Sequence, residues 1–313
     1  MNGPVDACRL LFTCIPKYRT IVKKRVYRHL AVTTSLLTRH STTLPASPGQ
    51  SDVAYCVDLV RFVYIAHNLG TLLLPKNSQR AAFALRAYNV ELAQVPDSVS
   101  DKKIGLIRMQ FWKDAIQSIY QSSPPKTPVA TELSGACGYY RLSKHWLERL
   151  VEARAAQMER DSFTSVKHVE DYAEQVNSSL YYLLLECLGI KNVHADHAAS
   201  HLGKAQGIVT LLRATPHHAS RRRVYLPMEV LAKPLKDAVF EVASLAHQHL
   251  EKARSLQKNL PDKSHLVFLN AHVCDHYLKN LQKVDFNVFE GKLQRKNPLL
   301  AYHMYFNKLR RKF

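Results

Sequence analysis

His194, His197 and His201 recur at i, i+3 and i+7, with Asp196 between them. On a helix this spacing lines one face, and imidazole nitrogens aligned in that way can hold Zn²⁺. The face borders an apolar stripe, where histidines more often pack or hydrogen-bond, so no metal is expected. A second group is cationic. Arg213, Arg221, Arg222 and Arg223 gather near Tyr225. Guanidinium forks suit a phosphate or lipid headgroup anion, and the same residues also suit a solvated basic face or a partner protein. His217-His218 reads as a loop pair. Tyr139-Tyr140 and Tyr181-Tyr182 read as core or cavity lining. The six cysteines are scattered without a C-x-x-C pair, which argues against a disulfide framework or a zinc site and suits a reducing compartment.

The elements that must position these groups are helical. A chain of 313 residues can bury one large core or two modest ones, and 46% hydrophobic residues with only 10 glycines favour a helical protein. Periodicity predicts helices over Asp52–Asn68 and Ala81–Val95. Ile104, Ile107, Phe111, Ala115 and Ile119 define another, and Pro124, Pro125 and Pro128 then break the chain. Trp146, Leu147, Leu150 and Val151 belong to the next. Val166, Val169, Ala173, Val176 and Leu180 form a stripe ended by Gly189. Ala195, Ala198, Leu202, Ala205, Val209 and Leu212 form one rich in small residues, which permits close helix approach. Val239–Leu256, His265–Val284 and Leu299–Leu309 complete the set. No alternation argues for a sheet. No apolar run approaches the roughly 18–20 residues that span a bilayer.

The net charge is +19. Residues 1–50 hold eight Lys and Arg against Asp6 alone and are rich in Ser and Thr. That composition predicts a mitochondrial targeting segment, closed by the linker Ser41–Gln50, with the folded domain over 51–313. The basic excess elsewhere is not interleaved with aromatics, Arg221–Tyr225 apart, so no nucleic-acid partner is expected.

Several blocks together resemble the squalene/phytoene synthase family. They are Thr71-Leu-Leu-Leu-Pro75, Arg80–Asn89, Arg108-Met-Gln-Phe-Trp112, Gly203-Lys-Ala-Gln-Gly207 with Leu212-Arg213, and Arg223-Val-Tyr-Leu-Pro227. The resemblance implies an all-α domain of the isoprenoid synthase type around a central cavity. Asn89–Val95, Ile107–Trp112, His194–His201 and Gly207–Thr210 are more similar still to a mitochondrial branch of that family. Membership of this branch implies a role in building respiratory complex I, with its subunits or other assembly factors as partners and a peripheral place on the matrix face of the inner membrane. Two departures stand out. Arg61–Gly70 differs from the charged sequence usual in the family, and Leu231 reaches Val239 through a shortened connection.

The resemblance also marks what is missing. Each substrate-binding helix of the family carries two aspartates, four residues apart, that hold Mg²⁺ on a prenyl diphosphate. The corresponding positions here are Val90 and Gln94, and Ala214 and His218. Mg²⁺ requires near-octahedral oxygen ligands, and a diphosphate leaving group needs its charge neutralised. Without carboxylates at these four positions the expectation is a non-enzymatic protein with no cofactor. Arg213, Arg221, Arg223 and Tyr225 are then candidates for holding a lipid, isoprenoid-like or phosphate anion. The alternatives are a prenyl diphosphate transferase with altered metal use and a lipid- or anion-binding module.

Overall fold

The computed structural model describes residues 51–313, apart from 64, 161 and 296. The targeting segment expected over residues 1–50 lies outside these. Every long element among the described residues is helical: α1 Asp52–Val63, α2 Ile65–Leu72, α3 Lys76–Ser98, α4 Lys102–Tyr120, α5 Pro128–Tyr140, α6 Lys144–Arg160, α7 Val166–Ala173, α8 Ser179–Cys187, α9 Val193–Ser220, α10 Leu235–Ser255, α11 Ala271–Lys283 and α12 Leu300–Leu309. None is long and apolar enough to cross a membrane.

Local chemistry sets many of the boundaries. Side chains of Asp101, Thr127, Ser165 and Asn192 each accept a hydrogen bond from a first-turn backbone amide, satisfying donors that a helix start leaves free. Pro128 occupies the first position of α5, where its missing N–H costs nothing. Beyond α8 the chain turns at Gly189, whose φ of +68° favours glycine. The interruption between α7 and α8 is a π-turn, Glu174–Ser178.

Two helices organise the core. α3 packs against α1, α5, α6 and α8, and α9 packs against α10, α7, α8 and the π-turn. The predicted stripe of α9 is buried throughout, from Ala195 to Leu212. Its glycines allow a close approach to the π-turn and α7. A Cβ on Gly203 would lie 2.5 Å from the Ser178 backbone nitrogen, and one on Gly207 would lie 2.4 Å from the Ala173 Cβ.

The structure corrects four local expectations. α5 forms where the prolines predict only a chain break. α4 is helical as expected, but its inward face carries Gly105, Met109, Trp112, Ala115, Ile116 and Ile119, while Ile104, Ile107 and Phe111 point outward. Tyr139 is 78% exposed, not core. His217 and His218 are not in a loop, because α9 runs through Pro216 to Ser220. Cys56, Cys137, Cys187 and Cys274 are buried free thiols.

Candidate functional site

The C-terminal ends of α3 and α9 meet across Asp97. Arg221 Nη1 donates to Asp97 Oδ1 at 2.6 Å, His217 Nε2 lies 3.5 Å from Oδ2, and Arg223 Nη1 lies 4.0 Å from Oδ1. Arg223 also donates to the carbonyl of Pro96 at 3.3 Å. Cationic side chains suit this place, since helix C-termini present carbonyls and a negative dipole end. Burial pushes the Asp97 carboxyl upward, but the His217 hydrogen bond and the Arg221 charge more than reverse it and hold the group below its ordinary range. The carboxylate is therefore already neutralised by protein cations.

The four positions expected to face a metal are placed as follows. Val90 is 1% exposed and belongs to the apolar core. Gln94 is exposed and Ala214 half-buried. His218 stands edge-on to Tyr225, ring centroids 4.4 Å apart, and burial and the neighbouring His217 lower its pKa to about 4. Tyr225 in turn meets Phe163 at 6.1 Å. α3 offers one other carboxylate besides Asp97, that of Glu91. The charge of Glu91 is felt by Tyr55 and Cys56 of α1. This donor set does not fit Mg²⁺, which wants several oxygen ligands in octahedral array.

Burial pushes the Glu91 carboxyl from 4.5 up to about 7. A folded pKa above the unfolded one means stability that is complete below pH 4.5 and lost as pH rises through 7. Replacing Glu91 with Gln removes that loss. At about pH 8 the variant should be more stable by on the order of 2 kcal/mol. Thermal melts at falling pH should show the gain shrinking to nothing near pH 4.5. A gain that is independent of pH would refute the assignment.

Deeper between α2, α3, α8 and α9 lies a polar cluster that the sequence did not announce. Tyr181 donates its hydroxyl to Gln206 Oε1, and Gln206 Nε2 donates to His67 Nε2 at 3.0 Å. Burial, then the charges of Arg86 and Arg213, hold the His67 pKa well below the ordinary value, so the ring is neutral and can accept that bond. Arg86 is 3% exposed and its Nε has no hydrogen-bond partner among the described residues. Burial lowers its pKa to about 10, which still leaves the guanidinium charged at neutral pH. Asn270 and the Tyr277 hydroxyl are likewise buried and unpartnered among the described residues. A buried cation without a counter-charge is costly, and an anionic group seated beside Arg86 would relieve it. Of the cationic candidates, Arg213 turns toward this cluster, where Tyr277, Cys274 and His67 feel its charge. Arg221 and Arg223 stay at the Asp97 clasp. A run such as Ala84-Leu-Arg-Ala-Tyr88 gave no sign that its arginine points inward.

The histidines of α9 do not assemble. His194 and His197 are exposed. His201 places Nδ1 2.9 Å from Nδ1 of His249, whose pKa burial lowers to about 4. No group of three His, Cys, Asp or Glu among the described residues is placed to hold a metal ion.

Comparison with known proteins bears on the family and the fold. The family profile described as Squalene/phytoene synthase matches residues 66–300. A Bos taurus protein named NADH dehydrogenase (ubiquinone) complex I, assembly factor 6, is 47% identical over 274 residues, covering 83% of this chain and 82% of that protein. A Drosophila melanogaster homologue of the same name is 34% identical over 328 residues, covering 98% and 97%. Among solved structures, a dehydrosqualene synthase in complex with ligand superposes with a TM-score of 0.70 at 16% identity, covering 83% of this chain and 96% of the other. Squalene synthase HpnC from Alicyclobacillus acidocaldarius gives 0.66 at 15% identity, covering 75% and 95%. At these identities the structures speak to the fold alone.

Proposed function

This chain belongs to the squalene/phytoene synthase family, and from that premise we propose that it is a non-catalytic assembly factor for mitochondrial respiratory complex I (NADH:ubiquinone oxidoreductase). It works with complex I subunits or other assembly factors, peripherally on the matrix face of the inner membrane. The observation that carries the non-catalytic part is the pairing of Val90, Gln94, Ala214 and His218 with an Asp97 already clasped by Arg221. The assembly role is supported by relatives of that name over most of the chain. Mitochondria lacking the protein should show less assembled complex I on native gels, with subassemblies accumulating and other respiratory complexes spared. Re-expression of this chain should restore the band. Normal complex I in its absence would overturn the reading.

A second reading concerns the interior. Arg86, Arg213 and the unpartnered Asn270 and Tyr277 favour a retained anionic ligand with an apolar body, such as a lipid or isoprenoid phosphate, bound without turnover. Mass spectrometry of molecules co-purifying with the folded protein tests it. An Arg86→Leu variant that retains the same molecule in the same yield would refute it.

A further inference from the structure

The outer face of α12 is inverted relative to an ordinary surface helix, whose solvent side is polar. Met304 is the one residue of α12 that is buried. Tyr302, Tyr305 and Leu309 are 62%, 53% and 61% exposed, and Leu299, just before the helix, is 57% exposed. Their spacing sets them on one side of the helix, and Phe306 stacks parallel to Tyr302 at 5.9 Å. α2 lies alongside. Lys308 Nζ donates to the Leu73 carbonyl at 3.0 Å, and Leu72 adds an apolar side chain that is 51% exposed.

The segment that carries this ridge has charge of a single sign. Residues 291–313 contain seven Lys and Arg and no Asp or Glu. Arg310 lies over the Phe306 ring at 4.0 Å, so cation and aromatic present themselves together. Arg311 finds a carboxylate only across the chain, on Asp262 at 3.3 Å.

We propose that the α2–α12 face docks on an anionic phospholipid bilayer. The ridge of tyrosine and leucine would enter the boundary between headgroups and acyl chains, and the Lys and Arg would meet the headgroup phosphates. Two features select a bilayer over a protein. A convex apolar ridge needs a groove in a protein partner, whereas a fluid leaflet opens around it. A run of cations without acids matches a surface of uniform negative charge, with no register to satisfy. The inference rests on the membrane-peripheral reading above and adds the surface responsible.

The test is co-sedimentation of the purified protein with vesicles of phosphatidylcholine, alone or mixed with phosphatidylglycerol. The parent should bind the mixed vesicles, weaken as salt rises, and leave phosphatidylcholine nearly untouched. The double variant Tyr305→Asp/Leu309→Asp should bind about tenfold less. Phe240→Asp, at an exposed apolar residue on α10, should bind like the parent. Where the double variant fails to fold, Tyr305→Trp supplies the readout. Its emission should be quenched by lipids brominated on the acyl chain. Equal binding by a folded double variant, or an unquenched Trp in the bound protein, would overturn the assignment of this face while leaving membrane association intact. A parent that binds no vesicle, or one that instead self-associates through α12, would overturn the membrane reading as well. The complex I role stands or falls separately on the native gels.

Discussion

Incubated with farnesyl or geranylgeranyl diphosphate and Mg²⁺, the purified protein should release no pyrophosphate above background. Ionising a prenyl diphosphate leaves several negative charges on the departing group, and catalysis depends on preorganised charge to meet them. Loss of even one such stabilising group typically costs roughly 10²–10³ in rate. Here Val90 and Ala214 have no ligand to offer, Gln94 has a neutral amide, and the nearby Asp97 is held by Arg221 and His217. Arg86 and Arg213 still make binding feasible, so a thermal shift with the diphosphate in the absence of turnover is the expected pattern. Following product and pyrophosphate together checks it. Metal-dependent turnover clearly above background would end the non-enzymatic reading.

A single methyl group at position 203 should be among the most damaging changes the fold can receive. Gly203→Ala puts a Cβ 2.5 Å from the Ser178 backbone nitrogen and 2.6 Å from its Cα. No rotamer change relieves a clash with backbone, so α9 and the π-turn must move apart. Ser178 would then strain its hydrogen bonds to Glu174 and to the Ser200 carbonyl. A loss of about 3 kcal/mol or more is expected, an upper-range value for overpacking. Gly135→Ala is the control. It lies on the exposed side of α5 with nothing within 4 Å of the added methyl, and it should stabilise by up to about 1 kcal/mol through helix propensity. Chemical denaturation of the two variants side by side tests both signs. Equal stabilities would mean that α9 does not press on the π-turn as described.

The small-residue stripe of α9 was legible because Ala195–Leu212 repeats at helical spacing and all its members are buried. α5 was missed because Val129, Thr131, Gly135 and Gly138 are weak helix formers. Its one local sign was Thr127 followed by Pro128, and packing against α3 and α1 supplies the rest. In α4 the Ile104–Ile119 spacing announced a helix but not its face, since Trp112 and Met109 outweigh Ile104 and Ile107 in the core. At the site, Arg221 and Arg223 stand out as a basic cluster, and the four altered positions rest on the family resemblance alone. Asp97 and Arg221 are 124 residues apart in sequence, so their ion pair belongs to the tertiary fold. The same holds for Arg86. An arginine amid alanines reads as solvent-facing until α2 and α8 close over it.

The buried thiols give the protein a built-in clock for its own opening. Burial lifts the thiols of Cys56 and Cys274 to about 12 and that of Cys137 to about 11, and raises Cys187 as well. Only a thiolate attacks an alkylating agent, so each of these sulfurs stays inert until its helix separates from its neighbours. They sit on α1, α5, α8 and α11, four separate parts of the fold. The order in which they become reactive under native conditions would rank those parts by local stability, from the first helix to lift to the last that moves only when the whole domain unfolds.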